Sequence, residues 1–257
     1  MISKLRQKDW AESWKRHFKP IEIRFKNRRD ELCESQSPRR KSGTRVTRPS
    51  EQTGRFLLIK PSWSKRKPRK DQVVVVLDPG LSFGTGQHPT TAFCLREIVR
   101  TAREGARPTE TKSFLDLGTG SGILAIAAAK LGYSPVRALD FDADAVGVAR
   151  ANAHANRVQN KLKIRRGDVS NLPMCPRQEG QRYDLVCANL TSDLLIAERR
   201  RIAAQLNAGG TLVLAGILKS EFGQVRKAYE SLGLKLVSCR SEKEWRSGSF
   251  RPIGINF

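Results

Sequence analysis

Three glycines at alternate positions, Gly118, Gly120 and Gly122, follow the apolar stretch Phe114-Leu115-Asp116-Leu117 and lead directly into Ile123-Leu124-Ala125-Ile126. Glycines let the backbone turn sharply and approach a ligand closely, and a following helix presents N–H groups that have no intrahelical partner. The chemistry indicated is the binding of a nucleotide-derived cofactor. A dinucleotide fingerprint, G-x-G-x-x-G, would need its third glycine at position 123, which is Ile123. Asp116, just before the loop, would repel a pyrophosphate but attract the amino group of a methionine moiety, directly or through water. The cofactor that fits these residues is S-adenosylmethionine, with S-adenosylhomocysteine as the product left after methyl transfer.

Two further segments agree. Val136-Arg137-Ala138-Leu139 ends in Asp140, 22 residues beyond Gly118, where a carboxylate could accept hydrogen bonds from two ribose hydroxyls. Leu162-Lys163-Ile164-Arg165 leads to Gly167-Asp168, placed where an adenine amino group would need an acceptor. Asp142 is the better cap for the helix that follows Asp140, which leaves Asp140 for the ligand. His17, His88 and His154 lie far apart and form no ligand pattern, so no metal is expected.

Positioning these residues requires a regular alternation of strand and helix, and the chain has one from about residue 113. Strand Phe114–Leu117 precedes helix Ile123–Leu131, strand Val136–Asp140 precedes helix Ala143–Asn156, and strand Leu162–Arg165 follows. Strand Tyr183–Ala188 then leads to a helix from about Leu194 to Leu206, and strand Thr211–Ala215 to a helix from Glu221 to Leu232. Lys235–Cys239 and Ser249–Asn256 read as two strands with no helix between them. Alternation of this kind predicts a mostly parallel sheet covered on both faces, closed by a hairpin that supplies an antiparallel edge strand. The fold class expected is α/β, a Rossmann-like, seven-stranded class I methyltransferase sheet. Upstream, Asp71–Leu77 reads as a buried strand, and Pro89 suits the first position of a helix reaching about Arg103.

The chain has 257 residues and a formal net charge of +23. Residues 1–71 hold 22 Lys+Arg against 8 Asp+Glu, while residues 72–257 hold 26 against 17, so the basic excess is concentrated at the front. The expected organisation is a basic N-terminal extension over 1–71, with a flexible insert at about 24–54, and a methyltransferase domain over 72–257. Such a balance points to an acidic partner, nucleic acid or a ribonucleoprotein, because neutralising phosphates releases counterions. Five cysteines show no C-x-x-C and no paired spacing, which suggests reduced thiols. No apolar run approaches the ~18 residues of a membrane helix and the first residues lack a signal-peptide core, so a cytoplasmic, soluble protein is expected.

The segment Leu77-Asp78-Pro79-Gly80-Leu81-Ser82-Phe83-Gly84-Thr85-Gly86-Gln87-His88-Pro89-Thr90-Thr91, followed by the Asp116–Gly122 loop, strongly resembles the bacterial methyltransferases that modify ribosomal protein L11. The resemblance continues through Asp140, Asn189, Ala215-Gly216-Ile217-Leu218 and Glu242-Lys243-Glu244-Trp245, and covers essentially all of residues 72–257. It implies that Thr91, Gly118, Asp140 and Asn189 contact S-adenosylmethionine, with Phe83 and Thr85 beside the methionine end and the substrate entrance. The cofactor set is therefore Thr85, Thr91, Asp116, Gly118, Gly120, Gly122, Asp140, Asp168 and Asn189, and the catalytic candidates are Asn189 and Phe83. Many amide and adenine methyltransferases carry Asn-Pro-Pro-Tyr where this chain has Asn189-Leu190-Thr191, which weakens a base-amino or glutamine chemistry.

The departure lies at the front. Family members carry an N-terminal recognition domain and then a linker resembling Asp9-Trp10-Ala11-Glu12-Ser13-Trp14, and this chain begins almost at that linker. The expectation is a catalytic domain whose usual recognition domain is lacking, with the basic insert set between two hairpin strands, Ile21-Glu22-Ile23 and Arg55-Phe56-Leu57-Leu58-Ile59. The leading expectation is a protein lysine (amine) methyltransferase acting on a ribosomal protein such as L11, with possible RNA or ribosome contact through the basic N-terminal region. The alternatives are an RNA methyltransferase and a non-catalytic ribonucleoprotein-binding module, and the oligomeric state is left open.

Overall fold

A computed structural model describes residues 19–23, 56–78, 88–104, 111–174 and 182–254. Ten strands and six α-helices are found in these residues. β1 (Ile21–Ile23), β2 (Phe56–Lys60) and β3 (Gln72–Val76) form a small sheet, β1 antiparallel and β3 parallel to β2. The antiparallel pairing of β1 and β2 agrees with the expected hairpin strands. The parallel partnership of β2 with β3 was not legible, and it carries this sheet across the expected boundary between residues 71 and 72. The outer edge of β3 is closed by a side chain, since Asn156 accepts the Val76 N–H at 2.9 Å and donates its Nδ2 to the Val76 carbonyl.

The large sheet contains β4 (Phe114–Leu117), β5 (Val136–Asp140), β6 (Leu162–Arg166), β7 (Tyr183–Asn189), β8 (Leu206–Ala215), β9 (Leu234–Glu242) and β10 (Trp245–Pro252). Their spatial order is β6-β5-β4-β7-β8-β10-β9. All pairings from β6 to β8 are parallel, and β10 inserts between β8 and β9, antiparallel to both. The order reverses between β4 and β7, which opens a crevice beyond their carboxyl ends, the usual ligand position in open α/β sheets.

Helices α1 (Pro89–Arg103), α2 (Ile123–Lys130) and α3 (Ala143–Ala155) join one apolar cluster with β4, β5, β6 and the small sheet. Residues Ile123 to Ala129 of α2 are all buried, which is why this stretch is Ala- and Ile-rich rather than amphipathic. On the other face, Leu195, Ile202, Phe222, Val225 and Tyr229 pack on β4, β7, β8 and β10. They come from α4 (Ser192–Ala197), α5 (Arg199–Ala204) and α6 (Phe222–Glu230).

The single helix expected from Leu194 to Leu206 is thus two, broken where Glu198 leaves helical geometry. β8 starts at Leu206 rather than Thr211, because Leu206 pairs with Tyr183 ahead of an irregularity in the β7 ladder. Cys94 and Cys187 are free and buried; Cys239 is disulfide-bonded, against the expectation of reduced thiols throughout.

Candidate functional site

The glycine turn is held by a backbone carbonyl and by two side chains. Gly118, Gly120 and Gly122 have φ of +72°, +52° and +82°, a region that costs other L-residues roughly 1–2 kcal/mol each. The N–H groups of Gly118 and Thr119 donate to the Leu139 carbonyl at 3.0 and 3.1 Å, and Asn152 Nδ2 donates to the Ser121 carbonyl at 2.9 Å. Asp140, only 7% exposed at the end of β5, accepts the Gly120 N–H at 2.8 Å and the Asp142 N–H at 3.1 Å, one on each oxygen. Asp142 caps α3 by accepting the Asp144 N–H, the division of labour expected between these two acids.

Asp116 lies beneath this turn and is fully buried. Its Oδ2 accepts the Thr119 hydroxyl at 2.7 Å, while Oδ1 has no hydrogen-bond partner. Burial pushes its carboxyl up to about 7, with nearby Asp140 adding to the rise and the Thr119 hydroxyl opposing it.

On the far side, α1 begins at His88 and Pro89, as its sequence predicts. His88 Nδ1 lies 2.7 Å from Thr90 Oγ1, and its ring stands edge-on to Trp245 at 4.8 Å. Burial lowers the His88 pKa, which suits a structural role at this helix start. Buried Thr91, in the first turn, then meets Asn189 at the end of β7, whose Nδ2 donates to Thr91 Oγ1 at 3.4 Å. The position of α1 is set at its other end by Glu97, 1% exposed, which accepts from Ser249 Oγ of β10 and from Arg100.

A cavity of about 280 Å³ lies between these two sides, close to the lower end of small-molecule sites. Thr91, Gly118, Gly120, Asp140, Asp168 and Asn189 all line it. Asp168 sits on the exposed rim and accepts the Ser170 N–H at 2.8 Å, which holds its carboxyl below the usual range and keeps it an acceptor.

Two of the expected cofactor residues do not line the cavity. Asp116 lies under its floor, bonded to Thr119, which does line it. Gly122 faces α3, where a Cβ would stand 3.0 Å from Ala149 Cβ, so its smallness serves helix packing. Phe83 and Thr85 lie outside the described residues.

Sequence reasoning missed the apolar wall, Leu139, Phe141, Val169, Leu190 and Leu194. Phe141 was within reach, because an aromatic directly after a strand-end acid is left 73% exposed at the cavity mouth.

Residues 45–251 match the family described as ribosomal protein L11 methyltransferase (PrmA). A protein of that name from Trichlorobacter lovleyi is 35% identical over 252 residues, covering 98% of this chain and 70% of the relative. Another from Geotalea daltonii is 34% identical, covering 95% of this chain and 68% of the relative. Among solved structures, a ribosomal protein L11 methylase from Lactobacillus delbrueckii subsp. bulgaricus is 28% identical with a TM-score of 0.65. The match covers 77% of this chain and 95% of that one.

Proposed function

The chain belongs to the ribosomal protein L11 methyltransferase family, and from that membership we propose that it methylates amine nitrogens, lysine foremost, of ribosomal protein L11 or a related ribosomal protein in the cytoplasm. S-adenosylmethionine is the methyl donor, and the residues present fit it. Asp116 Oδ1 is an orphaned buried acceptor under the glycine turn, suited to a nearby ammonium. A Cβ at Gly118 would come within 2.5 Å of Leu190, so the turn stays open only with glycine there. The single observation that carries the reading is the convergence of this turn, Asp140 and Asn189 on one cavity where the strand order reverses.

When bound, S-adenosylmethionine supplies an electrophilic methyl on a positively charged sulfur that is already a good leaving group. The chain's own task is to position and desolvate. Each Asp140 oxygen holds one backbone N–H and keeps a lone pair for a ribose hydroxyl. Asp168 accepts at the adenine end, with Phe141 and Val169 as apolar walls. The family resemblance implies a role for Phe83 and Thr85 at the methionine end.

A lysine nucleophile must first lose a proton, which at pH 7 costs roughly 4–5 kcal/mol from a reference pKa near 10.4. With Nδ2 engaged by Thr91, Asn189 directs Oδ1 to accept an amine hydrogen and aim the lone pair, and burial against Leu190 and Leu194 lowers the amine pKa.

Incubation with radiolabelled S-adenosylmethionine and ribosomal proteins tests this reading. Label that survives ribonuclease and is lost to protease supports it; label confined to RNA, or none, rejects it.

Contact with RNA or the ribosome through the basic N-terminal region is a separate part of the proposal, carried by the charge of residues 1–71. Deleting residues 24–54 should leave cofactor affinity unchanged and flatten the salt dependence of ribosome binding. A salt slope equal to that of the intact chain would reject the contact.

A further inference from the structure

A parallel strand normally has both faces covered. Helices α2 and α3 cover one face of β5 and β6, burying Val136, Ala138, Leu162 and Ile164. The alternate residues Arg137, Lys163 and Arg165 are exposed on the opposite face. Charge on β6 suits an edge strand, where it discourages pairing with another chain. Arg137 is not explained that way, because β5 lies one strand in from the edge.

The three cations converge. Arg137 pairs with Lys163 across the ladder and Leu139 with Arg165, so their Cα spacings run from about 5 Å across the ladder to about 8 Å on the diagonal. They line a cavity of about 250 Å³ together with Tyr183, and Arg137 and Lys163 also line a second cavity of about 520 Å³ with Lys161. Burial pushes the Tyr183 hydroxyl up, and Arg137 and Arg165 beside it oppose that rise. No carboxylate pairs with Arg137, Lys163 or Arg165 among the described residues. Three cations with no carboxylate partner among the described residues, set around a hollow whose walls also include Leu115, Leu139, Leu172 and Pro173, form a receptor for an anion with several charged oxygens.

We propose that this face of β5 and β6 binds phosphate groups presented by the backbone of an RNA strand, in a hollow other than the cofactor cavity. The phosphate chemistry rests on the cation cluster alone; the choice of RNA as its source rests on the ribosomal reading above. Leu139 lines both the cofactor cavity and the smaller cationic one, so a strand held here lies beside the ribose and adenine end of the cofactor cavity.

The test compares the full chain with the triple variant Arg137→Gln, Lys163→Gln, Arg165→Gln, and with a control triple, Lys219→Gln, Lys227→Gln, Lys235→Gln, of equal charge loss outside both this face and residues 1–71. Binding of a single-stranded RNA oligonucleotide is followed by fluorescence anisotropy. At about 0.7 slope units per phosphate, three contacts account for about 2 units, so the full chain should lose about 20-fold more affinity than the triple variant between about 50 and 200 mM salt. The control triple should keep the full chain's slope. Calorimetric S-adenosylmethionine affinity, measured on all three, should be equal, which separates failure of this face from failure of the methyltransferase reading.

An unchanged slope in the triple variant, or an equal fall in the control, overturns the proposal. Displacement of the RNA by oligoglutamate of equal charge would also overturn it, in favour of an acidic protein. Displacement by millimolar inorganic phosphate alone would reduce the face to a small-anion site.

Discussion

The carboxyl ends of β4 and β5 and that of β7 border the same cavity and are built in opposite ways. At β4 and β5 the acids are fastened: both Asp140 oxygens hold backbone N–H groups, and Asp116 is locked under the turn by Thr119. At β7 the Asn189 side chain makes one hydrogen bond among the described residues, a long one of 3.4 Å to Thr91. The fastened side matches a ligand whose shape never changes. The looser side matches the place where a protein amine must enter and leave. Preorganisation concentrated on the cofactor half leaves substrate binding to complete the rest.

The largest effect should come from the most enclosed group of the fastened side. Asp116 keeps a proton up to about pH 7 when folded, against an ordinary carboxyl value of 3.8. The folded state therefore binds more protons than the unfolded one across that window, and stability falls as pH rises from about 4 to about 7. Three pKa units correspond to about 4 kcal/mol. Asp116→Asn should remove this slope in unfolding curves measured from pH 4 to pH 8. Saturating S-adenosylmethionine, whose ammonium favours the carboxylate, should flatten it in the unsubstituted chain. A curve with no slope before substitution would mean that Asp116 is ionised throughout and that the floor of the site is not poised.

Asn189→Ala addresses the looser side. Loss of a polar group needed at the reacting centre costs about 100-fold in kcat by analogy with an oxyanion donor, with cofactor affinity changing less. Equal losses in both would erase the distinction between the two sides. Asp140→Ala should do the reverse, weakening calorimetric S-adenosylmethionine affinity at least about tenfold, or about 1.4 kcal/mol. Unchanged affinity would mean that its two backbone contacts exhaust its role.

The fastened side was the more legible in sequence, and for a physical reason. Turns, caps and strand ends depend on local chemistry, so Gly118, Asp140, Asp142 and Pro89 announce themselves by type and spacing. The boundaries of α1, Pro89–Arg103, follow from the same local signals. What could not be read depends on distant partners. β3 pairs with β2, the expected helix after residue 194 breaks at Glu198, and β8 begins early because Tyr183 pairs with Leu206. Exposure of Arg137 on an inner strand is of the same kind, since it depends on where covering helices stop.

Gly122 shows the limit within the motif itself. Its spacing marks it as part of the cofactor loop, yet it turns away from the cavity and lets α2 approach Ala149 of α3. Gly122→Ala forces an L-residue to φ +82° and a Cβ within 3.0 Å of Ala149 Cβ and 3.1 Å of its Cα. The expected cost is about 1–2 kcal/mol, from the left-handed backbone and crowding together, or roughly 2–8 °C in Tm for a chain of this size. Cofactor affinity of the folded molecule should stay within about twofold, because no cavity wall moves. Gly118→Ala, at φ +72° with its Cβ 2.5 Å from Leu190 Cδ2, is the matched probe on the cavity side and should weaken affinity by well over about twofold at a similar loss of Tm. If the two substitutions behaved alike, the motif would act as a single cofactor wall, and the assignment of Gly122 to helix packing would fall.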